Sequence, residues 1–216
     1  MAPLAALPAP EVAVSGEVDA RDYAIEKLVL RPEPGIHLPA LALRPRQPAE
    51  PGVCLYLDEA GKSAACARQG GAAARAASGA TVLAVDVRGV GETEQTGQDK
   101  FGGAIGDDWE DVVAAYLLGE SFVGMRAEDV LVCARYARDR FGGPVRLVAR
   151  GHVGVPALHA AALEPALFDK VELRETLTSW PRWRTPGRRK TSGISRCTER
   201  CACMTCRIWR RRSAAS

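Results

Sequence analysis

The chain has 216 residues, 47% of them hydrophobic, which is enough for one sizeable globular domain, and no apolar run has the length of a membrane span. The net charge of +3 hides an asymmetry: residues 181–216 carry eleven basic side chains against Glu199 alone, net +10, which leaves residues 1–180 at −7. The basic balance is therefore a property of the tail, and it excludes an evenly basic nucleic-acid-binding body.

The start, Met1 to Pro10, is rich in alanine and proline, has no basic n-region, and its prolines interrupt the apolar run that a signal peptide needs. No signal peptide is visible, the compartment stays open, and residues 1–21 read as a linker, a disordered start or a truncated start. Next, 24–30 and 37–43 read as two short strands around the Pro- and Gly-rich turn 31–36, an antiparallel hairpin. A proline-rich joint leads to 53–57, a continuous apolar run suited to a buried parallel strand, and a helix is expected to open at 58–62 and run to about Ala77. Thr81–Val87 is a further buried strand, ending in Arg88-Gly-Val-Gly-Glu92. Residues 94–106 read as an exposed loop; 107–118 and 126–140 read as helices, the second stopped by Gly142-Gly143-Pro144. The strand at 145, its following helix and a last strand at 170–177 complete residues 22–180. Strand and helix alternate, so the fold class is α/β: a three-layer α/β/α sandwich with a mostly parallel sheet and an N-terminal antiparallel hairpin.

The chemistry concentrates at the turn after the strand that begins at Val145. A nucleophile elbow reads G-x-S-x-G, because the serine occupies a strained strand-to-helix turn that only small neighbours permit, and the N–H after it faces the oxyanion. Here the turn reads Gly151-His152-Val153-Gly154-Val155. Matched letter by letter, the serine position holds Val153, which has no nucleophilic atom, and the closing glycine position holds Val155. His152 is a candidate base with no nucleophile to serve. A dinucleotide fingerprint would need glycine where Ala149 stands, although Gly151, Gly154 and a later Glu172 fit its other places. A plain βα turn, with glycines there for packing, is the third reading of the same residues.

These features together resemble the α/β-hydrolase superfamily, in particular its acetyl-xylan-esterase-like and prolyl-oligopeptidase-like branch. The residues that carry the resemblance are the hairpin, the stretch Val53 to Lys62 where the family has a strand and its oxyanion loop, Asp86-Val-Arg-Gly-Val-Gly91 matching D-x-R-G-x-G, and the turn at Gly151. It implies an incomplete α/β-hydrolase-like sheet over residues 22–180 and a serine-hydrolase-like activity on esters or peptides through Ser, acid and His, with no cofactor and no metal. This chain departs from the family at the degenerate elbow, Gly151, His152, Val153 and Gly154. It departs also at the oxyanion-loop position, Asp58, Glu59, Ala60 and Gly61, where two carboxylates stand beside the place of a developing anion. No histidine follows His159. The reading is a hydrolase-like domain without a usable catalytic residue, a pseudoenzyme. Two alternatives stay open: a non-catalytic module that binds a small ester, a carbohydrate or an adjoining catalytic domain, and an active serine hydrolase whose nucleophile is Ser63 or Ser121. No specific nucleic acid and no membrane is expected as a partner.

Residues 181–216 read as a basic, cysteine-rich disordered tail. They contain no Leu, Val or Phe, and Cys197, Cys201, Cys203 and Cys206 are too tightly spaced for a typical structural zinc site. Such a composition, Trp, Arg and Cys with almost no aliphatics, is that of a shifted reading frame, and with the tail unable to cover the sheet the last strand is expected to present a bare edge. Cys54, Cys66 and Cys133, scattered through the body, read as small hydrophobes and imply no disulfide framework.

Overall fold

In the computed structural model residues 7–95, 108–177 and 194–195 are described. One mixed sheet runs through them in the order β1-β2-β3-β5-β4-β6-β7-β8. The antiparallel part is a three-stranded meander, β1 (Glu11–Asp19), β2 (Tyr23–Arg31) and β3 (Leu38–Pro45), that joins the sheet through β3 against β5 (Thr81–Val85). The expected hairpin is β2 and β3. The stretch read as a linker is corrected in part: nine of its residues, Glu11–Asp19, are β1, paired with β2 along its length and bulged between Val14 and Gly16. β4 (Val53–Asp58), β5, β6 (Val145–Arg150) and β7 (Phe168–Arg174) pair in parallel, with β4 buried at all six positions.

The period of two along these strands divides the core into two faces. Val53, Leu55 and Leu57 of β4 and Leu83 and Val85 of β5 pack on one side with α4 (Phe122–Phe141) and α5 (Gly154–Leu163). Cys54, Tyr56, Val82 and Ala84 face the other way, onto α1 (Gly61–Ala65) and α2 (Gly71–Ala77). The three layers follow from that alternation. The single helix expected up to Ala77 is two short ones, separated at residues 66–70, and Gly70 and Gly71 are required there because a Cβ on them would fall 2.0 Å from the Ala65 carbonyl and 2.1 Å from the Tyr56 hydroxyl. Burial pushes the Cys54 and Cys66 thiols up to about 11 and about 12; Cys54 lies in the core and Cys66, half-buried, packs against it.

Helix α4 is the main support of its face. Ser121 caps it by accepting the Gly124 N–H at 3.3 Å, and Ala127, Val130, Leu131, Ala134 and Ala137 turn inward at helical spacing. Asp129 on this buried face is 0% exposed. Burial pushes its carboxyl above the ordinary range, and Arg88, bonding through Nε (2.8 Å) and Nη2 (2.6 Å), opposes that rise. At the far edge a two-residue strand, β8 (Ile194–Ser195), lies antiparallel to β7. It covers Leu173 and Arg174 only, so among the described residues the edge of β7 expected to be bare is paired at two of its seven positions. The remainder of 181–216, with its four cysteines, lies outside the described residues.

Candidate functional site

The connections fix where a ligand could meet the sheet. After β4 the chain passes to α1 and α2 on one face, and after β6 it passes to α5 on the other, so a topological switch point lies between the carboxyl ends of these neighbouring strands. Open α/β sheets bind ligands at such a point, in the crevice outside the strand ends. The last paired residues are Asp58 and Arg150, and the turns that follow them flank it.

At the β6 side the first residue beyond the strand is Gly151, with φ +76°, followed by a 3₁₀ turn over Gly151–Val153 and then α5. At the β4 side Asp58 is 5% exposed and accepts the Ala60 N–H at 3.0 Å, and Glu59 follows. The Glu59 N–H donates to the Arg150 carbonyl at 3.1 Å, which ties the loop to β6. Its carboxylate Oε2 accepts the His152 backbone N–H at 3.0 Å and lies 3.3 Å from His152 Nδ1. A Cβ built on Gly151 would lie 2.0 Å from both the Glu59 carboxyl carbon and Oε2. Arg150 Nη2 meets Glu175 at 3.0 Å and Nη1 lies 3.8 Å from Asp58; the Glu175 bond and then the Asp58 charge hold its guanidinium above the ordinary value. Two carboxylates, Glu175 and Asp58, thus flank one guanidinium beside the Glu59 loop. Glu175 has φ +52°, the one positive φ outside glycine among the described residues, and Thr176 beside it donates to the Gly151 carbonyl at 3.0 Å.

No family model matches the chain, and no curated protein does. Solved structures do. A protein assigned as an acetyl xylan esterase from Bacteroides fragilis superposes with a TM-score of 0.62 at 16% identity, over 78% of this chain and 49% of that one. Acetyl xylan esterase from Paenibacillus sp. R4 gives 0.57 at 17% identity, over 83% and 58%. Acetyl xylan esterase 1 from Thermoanaerobacterium sp. JW/SL YS485 gives 0.55 at 19%, over 79% and 54%. The fold is that of the α/β hydrolases, acetyl-xylan-esterase-like. The chain spans about half the length of these esterases, with coverage of 49%, 58% and 54%.

In an α/β hydrolase the elbow's strained residue is the one at the tip of the strand-to-helix turn, and the donor for the oxyanion is the N–H that follows it. Here the tip of the turn is Gly151, by its place after the last paired residue and its positive φ, and the N–H that follows is that of His152. The letter match that put the serine position at Val153 is corrected: Val153 has helical angles, φ −65° and ψ −13°, and is 0% exposed, so its side chain is a core residue under the turn. Gly154 begins α5, and a Cβ on it would fall 2.0 Å from Thr176 Oγ1. At the oxyanion-loop position, Ala60 precedes α1 and Gly61 turns at φ +82°. The structure brings Glu59, Gly151 and His152 together. Arg150, Glu175 and Thr176, which sequence reasoning missed, join them. The signal for the tip was the register: strands of equal length, 53–58 and 145–150, place the first glycine after Arg150 at the turn.

The D-x-R-G-x-G match is an anchor for the same loops. Asp86, 1% exposed, accepts the Lys62 N–H at 2.5 Å, Lys62 Nζ at 2.9 Å and the Glu92 N–H at 3.0 Å, and Lys62 Nζ also pairs with Glu92. Gly91 lies so close that a Cβ there would be 2.5 Å from Asp86 Oδ2. The motif therefore fixes the start of α1, and with it the loop that carries Glu59. Of the two serines offered as stand-in nucleophiles, Ser121 is the α4 cap and Ser63 lies exposed in α1; neither is at the elbow. Glu172 lies within β7, paired with Arg75 (2.6 Å) and Arg174 (2.5 Å), which gives it a packing role rather than one at a dinucleotide. His159 is half-buried within α5.

Proposed function

We propose that the chain is an ester-hydrolase-like domain that does not hydrolyse esters as it stands. One observation carries this reading: the tip of the elbow is Gly151, and the N–H that would receive an oxyanion is bonded to the carboxylate of Glu59. A glycine has no group to acylate, and a fixed carboxylate on the oxyanion donor opposes the charge that ester cleavage develops. The His152 ring could orient against Glu59 as a base, but no hydroxyl stands at the tip for it to activate.

The expected result is that purified protein does not hydrolyse p-nitrophenyl acetate above the buffer rate, and that Gly151→Ser and Val153→Ser remain inactive. A burst of acyl-enzyme in either variant would show that the missing partners are present and would overturn the reading. The surface of α3 (Trp109–Leu117) favours a second reading, a non-catalytic module that binds an adjoining domain. Tyr116, Leu117 and Leu118 are 78–79% exposed in a row, an unusual cost for a surface with no partner. Leu117→Lys would leave the melting temperature unchanged under this reading, and a fall of several degrees would count against it.

A further inference from the structure

Glu59 does more than mark the absence of a nucleophile. Neither the 3₁₀ turn nor α5 has a side-chain cap of its own. The acceptor for the His152 N–H comes instead from Glu59, 93 residues away in the chain and on the neighbouring strand's loop. Its side chain is 43% exposed, so it is held by this contact and by the imidazole rather than by burial. The bond is charge-assisted, and it holds the N–H of the 3₁₀ turn that leads into α5. The carboxylate also fills the volume into which a residue at Gly151 would project.

We propose that Glu59 is a built-in blocking group: its carboxylate takes the anion position of the elbow, closes the crevice between β4 and β6, and serves as a cap donated from one loop to the other. The proposal rests on Gly151 and His152 being the tip and the oxyanion donor. It has a chemical consequence. Truncating Glu59 leaves a vacated position of the size and charge of a small carboxylate, and acetate is the fragment removed.

The experiment compares the full chain with Glu59→Ala and Glu59→Gln, in sodium acetate and in sodium chloride of equal ionic strength at neutral pH, by thermal melting and by the ¹H–¹⁵N shift of the His152 amide. Glu59→Ala is expected to melt about 2–4 °C below wild type, the size of a lost cap. Acetate is expected to recover most of that fall and to shift the His152 amide of this variant alone, because Glu59→Gln keeps an acceptor oxygen in place. An equal acetate response in wild type, or no response in Glu59→Ala, overturns the blocking role. If Glu59→Ala does not fold in chloride, its refolding yield in acetate reads the same rescue, and an unchanged yield is the contrary result. Turnover of p-nitrophenyl acetate by the wild-type chain would overturn the inactive reading instead, so the two claims fail separately.

Discussion

Lys62→Met tests the anchor that positions the Glu59 loop. The Lys62–Asp86 pair is 4% and 1% exposed, so little water reaches it. Removing the ammonium leaves the Asp86 carboxylate with two backbone donors, the N–H groups of residues 62 and 92, and with a charge that nothing adjacent neutralises. Breaking a buried pair from one side costs about 3–5 kcal/mol, a large part of the 5–15 kcal/mol that holds a typical domain. Lys62→Met/Asp86→Asn removes the charge as well and keeps an acceptor for one backbone donor, so it should regain about 1–2 kcal/mol of that loss. Urea unfolding at pH 7, followed by circular dichroism with m unchanged, reads both numbers. A cost under about 1 kcal/mol for Lys62→Met would refute the argument, because the pair would then be as dispensable as an exposed one.

Gly154→Ala is expected to destabilise by about 1–3 kcal/mol through overpacking, since its Cβ would meet Thr176 Oγ1 at 2.0 Å, and Thr176→Gly in the same chain should relieve most of it; urea midpoints of the three chains check this. Glu172 gives a pH dependence. Burial opposes its ionisation, but the Arg174 hydrogen bond and the charges of Arg75 and Arg174 together hold its carboxyl below the ordinary value. A carboxyl lowered on folding contributes stability in full above its unfolded value of about 4.3, and that contribution is lost as pH falls through the folded value. The stability gap between wild type and Glu172→Gln should thus be constant from neutral pH down to about 5 and shrink below about 4. A gap that widens on acidification would contradict the sign.

Most of the parallel strands could be read directly, because a strand buried on both faces is a continuous apolar run: 53–57 and 82–85 show it, and 147–149 shows it after Arg146. β1 was hidden for the opposite reason. It is an edge strand whose Val12, Val14 and Val18 remain 37–62% exposed, and the bulge at Gly16 breaks its alternation. The elbow was found as a glycine turn, but its tip was displaced by two residues, because G-x-x-G letters do not say which glycine follows the last paired residue. The contacts that define the site are long-range: Glu59 to His152 spans 93 residues and Lys62 to Asp86 spans 24, and no local pattern encodes either. The negative charge at Asp58 and Glu59 was legible as an obstacle to catalysis. That one of these carboxylates reaches the N–H of His152 needed the sheet.

The central claim is that this α/β-hydrolase elbow has no activated nucleophile, and intact-mass spectrometry after exposure to a fluorophosphonate probe tests it most directly. The reagent phosphonylates a serine only when a base and an oxyanion donor activate it. The unmodified mass is predicted after prolonged incubation, for wild type and for Gly151→Ser alike. A stoichiometric adduct on wild type, mapped to any serine of the chain, would contradict the claim and identify the nucleophile that Gly151 does not provide.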